Sequence, residues 1–191
     1  RLDSSLVFAD GKFGIGRPVA NSFALLSSHE ALQGQTIGIN PPGDAYEARI
    51  DRLGAAVLPA LTPYRVDRVR LDGKDLPEGY DLGAQSFSLL PDYKSGILVT
   101  VGTGATVFLL GVLQDSSGEP IALHAAEIFS PQDPAFTPIM TFTNRTGRFA
   151  AEGLQPGQYA LRFAAPEPQQ INFEIPAETS GRYDLGILKA E

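Results

Sequence analysis

Thr143-Asn144-Arg145-Thr146-Gly147-Arg148-Phe149-Ala150-Ala151-Glu152-Gly153-Leu154-Gln155-Pro156-Gly157-Gln158-Tyr159-Ala160-Leu161-Arg162-Phe163 is the stretch that decides the fold. Asn144 to Gly147 is turn chemistry, because Asn bonds its own backbone and Gly supplies positive φ. Tyr159, Leu161 and Phe163 alternate with Ala160 and Arg162, so a strand here buries its bulky side and leaves Arg162 in water. Short strands and Gly-rich turns continue outward in both directions. Thr106–Leu113 precedes the turn Asp115-Ser116-Ser117-Gly118. Pro120–Ser130, a Pro-rich loop at Pro131–Pro134 and Ile139–Thr143 follow, then Arg148–Ala151, Gly153–Gly157, Gln158–Ala164, Gln170–Ile175 and Arg182–Leu188. So many short strands in so few residues predict a compact antiparallel sandwich.

The first half carries the same signals. Strands are expected near Phe23–Ser27, Gln35–Asn40, Ala55–Ala60, Arg65–Leu71, Gln85–Leu90 and Ile97–Val101. Asn40-Pro41-Pro42-Gly43-Asp44 and Leu76-Pro77-Glu78-Gly79 separate some of them as turns. Pro59 lies within an apolar run and confines its strand to a sheet edge or a bulge, since it has no N–H to donate. Ala45–Asp51 and Ala122–Ile128 fit either a turn or two of helix or a strand. At the start, Ser4–Ala9, Asp10-Gly11 and Lys12–Val19 read as a hairpin, with Phe13, Ile15, Arg17 and Val19 alternating with mostly small residues. This is either the first hairpin of a soluble sandwich or the end of a larger sheet.

No charge occurs between Lys94 and Asp115, but four glycines and three threonines interrupt the span, so two strands around Gly102-Thr103-Gly104 are expected instead of a membrane helix. That joint marks the expected domain boundary. The fold class is therefore all-β: two small antiparallel sandwiches in tandem after a short hairpin, with boundaries at 1–20, 21–102 and 103–191.

Composition narrows the function. The 191 residues carry 15 basic and 22 acidic side chains, a net charge of −7 with a pI near 4.8, which argues against an electrostatic grip on nucleic acid or anionic lipid. With 43% hydrophobic and 19% charged residues the chain has enough apolar content to fold. The absence of Cys removes disulfides, thiolate metal sites and thiol nucleophiles. A first residue Arg1, with no signal sequence after it, reads as a piece of something longer.

Candidate chemistry is sparse. His29 follows Ser27-Ser28 in a polar loop, and His124 has no acidic neighbour nearer than Glu127. No Gly-x-Ser-x-Gly elbow is present. Asp72, Asp75, Glu78 and Asp81 cluster around Leu76-Pro77, as a cation site or, more simply, a solvated acidic loop. Gly14-Ile15-Gly16 and Gly102-Thr103-Gly104 lack the helix a phosphate cradle needs. Asn144-Arg145-Thr146 matches a glycosylation sequon but reads as a turn. No catalytic, cofactor-binding or metal-binding residue is assigned. Leu61, Tyr64, Phe136 and Ile139 are exposed apolar candidates, Tyr46, Tyr64, Tyr80 and Tyr93 are available for sugar stacking, and partner-binding residues stay unassigned.

Ser5-Leu6-Val7, Arg17-Pro18-Val19, Ser22-Phe23-Ala24-Leu25, Gly54-Ala55-Ala56-Val57-Leu58-Pro59, Pro63-Tyr64-Arg65 and Asp75-Leu76-Pro77 together resemble the C-terminal region of bacterial fimbrial outer-membrane ushers. Asp67 stands where that family has Asn. Gly118-Glu119-Pro120, Thr143–Phe149 and Gly153–Tyr159 resemble the last usher domain and, more broadly, prealbumin-like carboxypeptidase regulatory domains. The resemblance implies an outer-membrane assembly protein without enzymatic activity or cofactor, whose barrel, plug and N-terminal domain lie elsewhere in the chain. It implies that residues 1–20 are a remnant of the last barrel hairpin and that the two following sandwiches are periplasmic. It further implies docking of periplasmic chaperone–pilus-subunit complexes, no nucleic acid, and membrane contact only through the barrel. A stand-alone carbohydrate- or protein-binding module of a surface protein is the alternative.

Overall fold

The computed structural model describes residues 3–41, 45–163 and 168–190. Pro42, Gly43 and Asp44 of the expected turn, and Ala164 at the end of the expected strand, lie outside them. Among the described residues sixteen strands form, and the one helical element is a single 3-10 turn at Glu30–Leu32. The two ambiguous segments resolve as strands, Ala48–Ile50 and Ala125–Phe129.

The chain divides into two compact units, Arg1–Leu76 with Asp81–Gly104, and Pro77–Tyr80 with Ala105–Glu191. The N-terminal hairpin belongs to the first unit. In that unit β1 (Ser5–Ala9) and β2 (Lys12–Gly16) are followed by β3 (Ser22–Ser28), β4 (Ile37–Ile39), β5 (Ala48–Ile50), β6 (Ala56–Leu61), β7 (Asp67–Asp72), β8 (Ser86–Leu89) and β9 (Gly96–Val101). In the second come β10 (Val107–Gln114), β11 (Ala125–Phe129), β12 (Ile139–Phe142), β13 (Arg148–Leu154), β14 (Gly157–Phe163), β15 (Gln169–Ile175) and β16 (Gly181–Lys189).

The hairpin aside, the two units repeat one topology. The first unit pairs its strands β6-β3-β9 and β5-β4-β7-β8, and the second pairs β13-β10-β16 and β12-β11-β14-β15. Strand for strand the orders coincide. Each unit's opening strand also runs parallel to its closing strand, β3 with β9 and β10 with β16, while the other pairings are antiparallel. A parallel partner requires the chain to cross between sheets before returning, which makes each unit a sandwich.

In the second unit Leu109 and Leu113 of β10, Ile128 of β11, Phe149 and Leu154 of β13, and Tyr159, Leu161 and Phe163 of β14 share one buried core. Arg162 points to solvent and contacts Glu127, as the alternation predicts. Phe136 and Phe173 flank Tyr159 at ring-centroid distances of 5.5 and 5.8 Å. Arg148–Ala151 and Gly153–Gly157 are not separate segments: β13 runs through Leu154, and Gly153 at φ 85° provides an extra residue in the pairing with β10.

Pro59 sits in an edge strand and also at a bulge. The pairing of β3 with β6 shifts between Ser22↔Leu61 and Ala24↔Leu58, leaving three steps on β6 against two on β3. That shift turns Leu61 inward.

β3 is buried on both faces, unlike β10. Ala24 and Leu26 face one way, and Leu25 faces the other, toward Val7, Ala9 and Val57. The hairpin is thus a cover on the outer face of the three-stranded sheet. Its Asp10-Gly11 turn has positive φ at both positions (43° and 81°), the geometry expected from sequence. Gly14 and Gly16 make the fit: a Cβ on Gly14 would lie 2.4 Å from Leu25 Cδ1, and one on Gly16 would lie 2.7 Å from Val57 Cβ.

Candidate functional site

The polar residues singled out by sequence are engaged in holding loops. His29 caps the 3-10 turn, its Nδ1 accepting from the Ala31 N–H at 3.2 Å, while its own N–H donates to the Val101 carbonyl. His124 lies in the other unit, with Nδ1 2.6 Å from the Ala122 carbonyl, so that nitrogen carries the proton. In each ring it is Nδ1 that is bonded to backbone, and the two histidines lie in different units.

The acidic group around Leu76 does not converge. Asp72 accepts from the Tyr46 hydroxyl at 2.7 Å and from the Lys74 N–H at 3.0 Å. These bonds hold its carboxyl below the usual carboxylate range, the Tyr46 bond foremost, and the same bond raises the Tyr46 hydroxyl. Asp81 accepts from the Gly83 N–H and from the Thr103 hydroxyl. Among the described residues no group of three His, Asp or Glu side chains is placed to hold a metal ion.

The sequon forms a turn held by the Asn144 side-chain oxygen. Asn144 Oδ1 accepts from the Thr146 N–H, the Thr146 hydroxyl and the Arg148 N–H, each at 2.9 Å. Asp115 repeats the device, accepting from the Ser117 N–H, the Ser117 hydroxyl and the Glu119 N–H. The Ser117 hydroxyl is the main reason the Asp115 carboxyl sits below its ordinary range.

Of the four apolar candidates, Leu61 is buried by the β6 bulge. Phe136 and Ile139 are half-buried against the second core. Tyr64 alone stays out, at 73% exposure, and it is not isolated. β7 and β8 pair with Asp67 opposite Leu89, which sets Val66 opposite Leu90 one step further out. The Tyr64 N–H donates to the Pro91 carbonyl at 2.8 Å, tying the loop after β6 to the loop after β8. Tyr93 lies two residues beyond, with Lys94 Nζ 5.4 Å above its ring. Tyr64, Val66, Leu90 and Tyr93 are all exposed, so one end of the first unit presents four large apolar side chains.

Both loops are pinned. Asp67 accepts from the Thr62 N–H. The Asp92 carbonyl accepts from the Ser22 hydroxyl at 2.6 Å and from the Ser95 hydroxyl at 2.8 Å. Tyr64 and Lys94 hold left-handed φ values of 59° and 52°, a conformation that costs a bulky residue energy and persists where surrounding bonds impose it. Sequence reasoning named Tyr64 and Tyr93 but not Val66 or Leu90. Pro63 beside Tyr64 and Pro91 beside Leu90 were the available signal for two rigid adjoining loops.

A second apolar face lies on the hairpin, where Leu6, Phe8, Phe13 and Ile15 point away from the sandwich and the Phe8 and Phe13 rings approach to 4.7 Å. A smaller one lies on β12 at Met140 and Phe142.

No family model matches the chain. It is 25% identical over 166 residues to the outer membrane usher protein HifC of Haemophilus influenzae, covering 85% of this chain and 18% of the relative. Another HifC sequence from that organism is 24% identical over 162 residues, again covering 18% of the relative. The chain thus spans less than a fifth of the length of the curated relatives it matches. In fold it superposes on a chain of the E. coli P pilus tip assembly intermediate PapC-PapD-PapK-PapG with a TM-score of 0.62, over 97% of this chain and 21% of that one, at 12% identity. The resemblance to the C-terminal region of an usher, read from the sequence, is met by these similarities.

Proposed function

We propose that this chain is the C-terminal part of a fimbrial outer-membrane usher, and that its two sandwiches dock chaperone–pilus-subunit complexes on the periplasmic side. The observation that carries the reading is the usher similarity, which extends over 85% of the chain instead of stopping at one sandwich. Residues 21–102 and 103–191 are the two periplasmic domains in this reading, and residues 1–20 descend from the last barrel hairpin.

The mechanism rests on strand physics. A pilus subunit whose sandwich lacks a strand exposes a sheet edge, which a chaperone strand fills until the next subunit's extension takes its place. Two rigid sandwiches that hold the complex at the base of the growing fibre raise the effective concentration of the incoming strand and orient it. This is assembly by positioning, with no bond made or broken by the usher's own side chains. Its partners are therefore chaperone-bound subunits and the remainder of the usher.

The test is deletion of the segment matching residues 21–191 from the full-length protein, with pili counted by electron microscopy and usher abundance in the outer membrane measured alongside. Loss of pili at unchanged abundance is the expected result. Normal piliation would defeat the proposal.

A further inference from the structure

We infer that the end of the first unit formed by Tyr64, Leu90 and Tyr93, extended along β7 by Arg68 and Arg70, is a docking face for an acidic protein surface. The assignment deepens the usher reading and rests on it, because it says which face meets the chaperone–subunit complex.

Three observations converge here. The aromatic end is preorganised: the Tyr64–Pro91 bond, the two hydroxyls on the Asp92 carbonyl and the buried Pro91 fix both loops before any partner arrives. Rigid tyrosines on fixed loops lose little freedom on binding, which is why Tyr and Arg dominate the energetic centres of interfaces.

Next, the adjoining strand exposes two arginines in a row. Arg68 and Arg70 flank buried Val69, so both project to the solvent side of β7. Across the β8 pair their neighbours are Ser88 and Ser86, too short to cover a guanidinium, and on the β4 side Arg70 borders a shallow pocket with Asn40, Tyr46 and Glu47. Among the described residues neither arginine forms an ion pair. The Asn40 Oδ1 accepts from the Arg70 N–H, and the Asn40 N–H donates to the Arg70 carbonyl, which holds the far end of the row in place.

Finally, the charge is against the grain of the molecule. The chain is net −7, yet at or beside this end the exposed Arg65, Arg68, Arg70 and Lys94 outnumber the exposed Asp92 and the half-buried Asp67. An apolar centre beside unpaired guanidiniums complements a surface with its own apolar patch and carboxylates nearby, since opposite potentials speed encounter and reject basic competitors. The hairpin and β12 faces lack this combination.

The experiment measures binding of the whole 191-residue chain to the chaperone–subunit complex of the same pilus system by biolayer interferometry, at low and high salt. One variant combines Tyr64→Asn, which tolerates the left-handed backbone, with Tyr93→Ser. A second combines Arg68→Glu with Arg70→Glu, and Ile187→Ser on β16 serves as reference. Each double variant is expected to weaken binding about tenfold or more. The charge variant acts mainly through slower association at low salt, and Ile187→Ser stays within about twofold. Circular dichroism checks each fold, and if one double variant is unfolded the other decides. If the parent chain binds and a folded double variant binds equally well, the face is wrong and the usher reading stands. A parent chain that does not bind at all removes both. Vesicles of anionic phospholipid form the last arm: binding to them that Arg68→Glu/Arg70→Glu abolishes, with complex binding intact, would assign the face to a membrane and overturn the inference.

Discussion

Gly14→Val should release the N-terminal hairpin from the first sandwich without unfolding it. Gly14 is buried, and a Cβ there would lie 2.4 Å from Leu25 Cδ1, 2.8 Å from Val57 Cγ2 and 3.3 Å from the Ala55 carbonyl oxygen. Carbon atoms settle at about 3.5–4.0 Å, so the hairpin must lift by roughly 1 Å or more to admit even the first carbon of the new side chain. Overpacking of this kind costs about 1–3 kcal/mol. What holds the hairpin down is mainly burial of Val7 and Ala9 against Leu25 and Val57. Burial of a Val-sized side chain contributes about 1.5–3 kcal/mol and Ala less, so penalty and holding energy are comparable and the docked state loses its dominance. Amide hydrogen exchange read by mass spectrometry over residues 5–16, with trypsin cleavage after Lys12 as a second readout, follows the release. Exchange should rise in that segment and stay unchanged over β10–β16. Phe13→Ser, which alters the exposed side, should leave it alone. Unchanged exchange in Gly14→Val would refute close packing of the hairpin at Gly14.

Three further outcomes follow from single contacts. Leu161→Ala removes a fully buried side chain at the centre of the second core and should destabilise that unit by about 2–5 kcal/mol, read as an early transition in differential scanning calorimetry while the first unit's transition holds. Asn144→Ala removes an acceptor of three hydrogen bonds and should lower the second unit's stability by about 1–3 kcal/mol, whereas Asn144→Asp, the residue that does the same work at Asp115, should retain most of it. The depressed carboxyls give an acid limb. Asp115, held down first by the Ser117 hydroxyl, is more acidic folded than unfolded, so its contribution is full above the unfolded value of about 4 and disappears as pH falls through the folded one. Thermal midpoints of the second unit should therefore drop below about pH 4, and drop less in Asp115→Asn, which keeps the accepting oxygen but does not titrate.

The elements that were legible in the sequence are those fixed by local chemistry. Asp10-Gly11, Asp115–Gly118 and Asn144–Gly147 form the expected turns because their residues satisfy one another within a few positions. The alternation in Tyr159–Phe163 reports its buried face directly. Pairings between distant segments left no such trace: nothing within Ser22–Ser28 announces a parallel partner at Gly96–Val101. The hairpin's small side was visible as Gly14 and Gly16, but the Leu25 and Val57 side chains that fill the space were not. Leu61 shows how a single bulge defeats alternation, since the extra step after Pro59 moves it from the solvent side to the core. The aromatic end was half legible, because Tyr64 and Tyr93 are separated in sequence and their loops are brought together only by the β7–β8 pair and the Tyr64–Pro91 hydrogen bond.

The proposed role of these two sandwiches is to receive a chaperone-bound pilus subunit. Isothermal titration of the 191-residue chain with the chaperone–subunit complex of its own pilus system, and separately with that chaperone alone, measures it directly. Saturable binding of the complex, tighter than that of the free chaperone, is the predicted result. No heat of binding with either titrant, from a chain whose circular dichroism shows it folded, would contradict that role.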